Sequence, residues 1–106
     1  MDNKIIKLVN LVKECLIKDY GKKIKEVILY GSSVRGERNK DSDIDILVVI
    51  DDSLNSSEVR KSLSDLLFDV LMEEQELLSV VVIPKSFFEN YNSPFILNVK
   101  EEGIAA

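Results

Sequence analysis

The chain has 106 residues, with 19 acidic and 14 basic side chains for a formal net charge of −5, a single Cys and no His. That length suits one domain, and 45% hydrophobic with 31% charged residues suits a folded, soluble chain rather than a disordered one. Without His, the Ser-His-Asp and Cys-His nucleophile pairs, His-held metals and His-ligated haem are excluded, and Cys15 alone makes neither an intrachain disulfide nor a Cys-clustered metal site.

In chain order, Ile5, Leu8, Val9, Val12, Cys15 and Leu16 recur every three or four residues and predict an amphipathic helix over residues 3–19. Asp2 or Asn3 is its candidate N-cap, Gly21 its stop, and Cys15 reads as a small core residue. Ile24 to Tyr30 reads as a strand ending at Gly31, and residues 31–42, polar and charged, as a loop or short helix. The next strand runs from Asp43 to Ile50. From Ile46 onward it is apolar on both parities, as in a strand covered on both faces. Asn55 and Glu58 resemble a capping box opening a helix whose stripe is Val59, Leu63, Leu66, Leu67, Val70 and Leu71. A third strand spans about Leu77 to Ile83, closed by Pro84. A helical turn near Phe87 and Phe88 follows, then a last helix from Pro94 to about Glu102 with Ser93 as N-cap and Gly103 at its end. Strands and helices alternate without repeat or linker, which predicts one α/β domain. The aromatic side chains Phe87, Phe88, Tyr91 and Phe95 read as core packing more than as a partner surface.

An acidic chain is a poor sequence-independent binder of nucleic acid, which needs Lys and Arg against phosphates. Basic residues do gather at Lys22-Lys23-Lys25 and at Arg35-Arg38-Lys40, so a local anion site stays open. No signal-peptide pattern opens the chain, and the run Ile46 to Ile50 is too short for a bilayer span. Cytoplasmic and free of membrane is the expectation.

Chemistry must therefore rest on carboxylates, hydroxyls, Lys, Arg or backbone, and residues 30–45 concentrate all of these. Gly31 lets the backbone approach a ligand, while Ser32 and Ser33 add hydroxyls and N–H groups at the start of a possible helix. This is not a P-loop: Gly31 and Gly36 have the right separation, but Glu37-Arg38 replaces the Lys-Ser/Thr pair. Asp43 and Asp45, at i and i+2 where a strand begins, point to one side of it, about 6–7 Å apart. Ile44, Ile46, Val48 and Ile50 take the other side. Two carboxylates aimed together repel unless a cation joins them, and hard oxygen donors favour magnesium or manganese. Asp41 has the same parity and either joins the pair or solvates the loop. Together, a phosphate cradle and a metal-binding acid pair suit a nucleoside triphosphate and its metal.

Gly31-Ser32, ten intervening residues, then Asp43-x-Asp45, with Arg35-Gly36 between, resemble the signature of minimal nucleotidyltransferases, a branch of the DNA polymerase β-like superfamily. The Ser93-Pro94-Phe95 to Glu102-Gly103 ending is also similar to small members. The resemblance implies that residues 1–106 form one minimal nucleotidyltransferase domain, a small mixed β-sheet with alternating helices. It implies triphosphate binding by Gly31 and Ser32 with Ser33 and Arg35, and Mg2+ held by Asp43 and Asp45. Transfer would be of AMP from ATP to a hydroxyl, with Arg35, Arg38 or Lys40 offsetting charge on pyrophosphate. Active members usually carry a third carboxylate on the following strand. Here that strand has no acid: Ser79 aligns with the missing residue, and Glu76 comes just before the strand.

Small members are often paired with HEPN-domain RNase toxins, some of which are neutralised by adding AMP to a tyrosine. The resemblance therefore implies an antitoxin that adenylylates such a partner, in a homo- or hetero-oligomer. The alternative is a weak or inactive relative that neutralises its partner by binding. Transfer to a nucleic-acid or small-molecule hydroxyl fits the acidity and small size less well.

Overall fold

The backbone alternates as the periodicity predicts, and the elements close around one four-stranded sheet. The computed structural model describes residues 2–37, 39 and 41–106. Arg38 and Lys40, named above as candidate counter-charges, lie outside the described residues. α1 (Asn3–Tyr20) starts at Asp2, whose side chain accepts from the Lys4 N–H, and stops at Gly21 with φ +57°. A single 3₁₀ turn (Gly21–Lys23) leads into β1 (Ile24–Tyr30), followed by α2 (Ser32–Arg35) and β2 (Ile44–Ile50). Next come α3 (Ser56–Ser62), α4 (Ser64–Glu74), β3 (Leu78–Pro84), α5 (Lys85–Asn90), α6 (Pro94–Glu102) and β4 (Ile104–Ala105).

The strand order is β3-β2-β1-β4. β1 runs antiparallel to β2 and β4, while β2 and β3 are parallel. A parallel pair needs a long crossover, which α3 and α4 supply. β2 is the buried centre, as its two-sided apolar run predicts. Ile44, Ile46, Val48 and Ile50 face a core built with α1, α3 and α4. Leu47 and Val49 face a second core with Ile28, Phe88, Ile96 and Val99 from β1, α5 and α6. Cys15 packs partly buried against the first core, and burial raises its thiol pKa, followed by the effect of Asp19. No helix among the described residues is long and apolar enough to cross a membrane.

Several expectations shift. β2 begins at Ile44, leaving Asp43 in the loop just before it, and β3 starts one residue later than expected. The helix expected from residue 55 onward breaks at Leu63, a fully buried residue. The Ser62 hydroxyl just before it donates to the Val59 carbonyl at 2.6 Å, a side-chain bond that competes with the helical ladder. Leu71, placed on the apolar stripe, is 41% exposed. The aromatic expectation is corrected for three of four residues: Phe88 is buried, whereas Phe87, Tyr91 and Phe95 are exposed. Phe87 and Tyr91 compensate by stacking on each other at 4.6 Å. β4 has no counterpart in the sequence reading. It pairs Ile104 with Leu29, and the Ala106 N–H donates to the Val27 carbonyl.

Candidate nucleotide and metal site

The register of β1 against β2 sets Tyr30 opposite Asp45, and the register of β2 against β3 sets Asp45 beside Ser79. Paired residues share a sheet face, so Ser79, Asp45 and Tyr30 form one row across three strands. The row lies on the face covered further along by α5 and α6. Asp43 sits in the loop just before β2, near enough for its carboxylate to act on that of Asp45. The strand pairing thus places the Ser79 position directly beside Asp45. Glu76 is buried, two residues before β3 begins.

The chain leaves β1 through Gly31, at φ +80° and ψ −153°, a conformation that favours glycine. A methyl group added there would overlap the Asp45 carboxylate, lying within 3.2 Å of its Cγ. Gly31 and Asp45 are therefore in direct contact, which brings the Gly-Ser turn and the acid pair to one place. The Val34 and Arg35 N–H groups donate to the Gly31 carbonyl at 3.1 and 3.3 Å, closing α2 as a single turn. Gly36 caps it in the left-handed region at φ +74°. Ser32 is half-buried at the start of this turn, whereas Ser33 is buried and its Oγ has no hydrogen-bond partner among the described residues.

The electrostatics agree with that placement. Burial pushes the Asp45 carboxyl above the usual range, the nearby Asp43 carboxylate raises it further, and Arg35 pulls it back down. Burial, then Asp45, raises the Tyr30 phenol as well. Arg35 is held by two carboxylates: Nη1 donates to Glu102 Oε2 at 3.0 Å and Nε to Glu37 Oε1 at 3.2 Å. Asp41 is exposed and spends its N–H on the Asn39 side chain at 2.9 Å, in a turn closed by the Ser42 N–H on the Asn39 carbonyl. The second basic group, Lys22-Lys23-Lys25, lies at the far end of β1, about 20 Å of strand away. There Lys25 pairs with Asp51 at 3.9 Å.

Two mutually repelling carboxylates with hard oxygen donors suit a divalent cation. No group of three or more potential ligands occurs among the described residues. That donor set suits magnesium, which takes one or two protein carboxylates and completes its shell with water and substrate phosphates. Asp43 and Asp45 would hold it.

A family model described as nucleotidyltransferase domain matches residues 9–105. The chain belongs to that family. It is 34% identical over 85 residues to MJ0604 of Methanocaldococcus jannaschii, a candidate protein adenylyltransferase, covering 79% of each chain. Among solved structures it is similar to a candidate nucleotidyltransferase from Sulfolobus solfataricus, with TM-score 0.65 and 18% identity over 96% of this chain and 78% of that one. It is also similar to a chain of a toxin–antitoxin crystallised with AMP-PNP, with TM-score 0.60 and 21% identity over 92% of this chain and 70% of that one. At these identities the two structures bear on the fold, a single small α/β nucleotidyltransferase-type domain with a mixed sheet.

Tyr30, Asn98 and Glu102 border the cavity beside Gly31; of these only Tyr30 fell in the stretch singled out from sequence, and it was given no role there. Tyr30 was legible: it shares the parity of Ile28 and directly precedes Gly31. No local signal marks Glu102, which reaches Arg35 across 67 residues of chain.

Proposed function

We propose that the protein is a magnesium-dependent nucleotidyltransferase that moves AMP from ATP to a hydroxyl of a partner protein, a tyrosine by preference, and so silences that partner. The partner class is a HEPN-domain RNase toxin, with this chain as antitoxin. The contact between Gly31 and the Asp45 carboxylate, with Asp43 alongside, is the observation that carries the reading. The similarity to MJ0604 supports a protein acceptor, and the similarity to a toxin–antitoxin chain supports a toxin as that acceptor.

Asp43 and Asp45 would hold magnesium, which would supply charge neutralisation for the phosphates and the leaving pyrophosphate. The Gly31-Ser32 backbone orients the triphosphate, and Arg35 exchanges its carboxylate partners for phosphate oxygens. The acceptor oxygen attacks the α-phosphorus, the bond to the bridging oxygen breaks, pyrophosphate departs and the hydroxyl proton passes to water. With Ser79 in the row, β3 offers no carboxylate to take that proton. A general base is typically worth 10²–10⁴-fold, so its absence slows the step without forbidding it. A phenol, with an ordinary pKa of about 10, needs that help less than an alcohol does.

Incubating the purified chain with labelled ATP, magnesium and the protein encoded beside it should label the partner, and D43N/D45N should leave it unlabelled. Ser79 also favours a second reading, neutralisation by binding alone. Partner silencing by D43N/D45N without ATP would establish that reading and refute the first.

A further inference from the structure

Next to the acid row, on the same face of the sheet, the end of β1 and α6 enclose a cavity of about 190 Å³ bordered by Tyr30, Gly31, Arg35, Phe95, Asn98 and Glu102. One end opens on the Gly31 turn. Its walls are aromatic: the Tyr30 and Phe95 rings meet edge to face, with centroids 5.5 Å apart and planes at 80°. Phe95 remains 40% exposed, more than its size alone would favour. Asn98 and Glu102, four residues apart on α6, share one helix face and place an amide and a carboxylate at the rim. An apolar wall with a few convergent polar groups is the usual composition of a ligand subsite.

A triphosphate seated on Gly31 and Ser32 must carry its nucleoside to one side of the acid row or the other. Toward β3 the row ends at Ser79, on a strand at the sheet's edge. Toward α6 it meets this cavity. We propose that the cavity is the nucleobase subsite, with Phe95 stacking on the base and Asn98 selecting adenine. A side-chain amide presents a donor and an acceptor together, matching the N7 acceptor and N6 amine of adenine, whereas guanine offers two acceptors, N7 and O6, along that edge. The inference rests on the nucleotide reading of Gly31, Asp43 and Asp45 given above, and adds to it where the base lies and which base is chosen.

Calorimetry on the full chain with magnesium separates the two, using ATP, GTP and inorganic tripolyphosphate as probes. The wild type should bind ATP more tightly than tripolyphosphate. Phe95→Leu, which keeps an apolar side chain, should weaken ATP about tenfold, the scale of one lost base-stacking contact. Asn98→Ala, at an exposed position, should narrow the preference for ATP over GTP. Neither variant should change tripolyphosphate binding. Equal affinity of the wild type for ATP and tripolyphosphate overturns the subsite while leaving the phosphate and metal site standing, as does a variant that weakens both ligands alike. Failure of the wild type to bind either ligand overturns the nucleotide reading itself and this inference with it.

Discussion

Gly31 and Asp45 touch because β1 and β2 pair in a register that ends one strand where the other begins its acidic stretch. The cost falls on Asp45, which burial and Asp43 hold above the ordinary carboxylate range. The folded-state pKa is thus above the unfolded value of about 3.9. Ionised Asp45 therefore destabilises the metal-free fold at neutral pH, and the penalty fades as pH falls through the folded pKa toward the unfolded one. Asp45→Asn should accordingly melt above the wild type at pH 7 without metal, and the gap should close below about pH 4. Circular-dichroism melts at the two pH values check this; a lower-melting variant at pH 7 would mean that the Arg35 attraction dominates. The face of Asp45 was legible because strand parity is local, whereas Asp43 lies in the loop ahead of β2, where that rule does not reach. The burial of Ser33 was not, since a single turn of helix gives no period from which to tell its inner face. Nor was the tie from Arg35 to Glu102, which exists only once α6 has folded back over β1.

At the scale of elements, termini carried clearer signals than interiors. Asn55 accepts from the Glu58 N–H at 3.0 Å, as its spacing predicts. Ser93 accepts from the Ile96 N–H at 3.3 Å with Pro94 in the first turn. Ser93→Ala should cost about 1 kcal/mol, lowering the melting temperature by roughly 4–8 °C. ATP binding should weaken as well if α6 forms the nucleobase wall, and one thermal series with and without nucleotide reads both effects. The break at Leu63 escaped the sequence because the apolar stripe continues straight through it. β4 escaped for a different reason: two residues are too few to show a period, and only pairing with β1 makes them a strand. Gly103 fixes that approach, since a Cβ there would collide with the Val99 carbonyl and the Ile28 side chain.

For the molecule as a whole, β2 is the shared wall of two cores, with Ile46, Leu47 and Val48 all fully shielded. The run of apolar residues on both parities foretold this, and with it the helices on both faces. The rest of the sheet order was not foretold, because side-chain parity does not say which strands flank β2, and β4 is a strand only through its pairing with β1. Ile46→Ala should cost about 2–5 kcal/mol, as for other large-to-small changes in close-packed interiors. That is a large share of a domain's usual 5–15 kcal/mol, and urea titration should show the midpoint falling. The same strand runs directly into Asp45 and, one step further out, Asp43. The placement of Asp45 is inherited from buried β2 side chains, so on the proposed function slight loosening of the interior should blur the aim of the acids while the protein still folds. Sequence drift in β2 would then surface first as lost turnover and only later as lost structure.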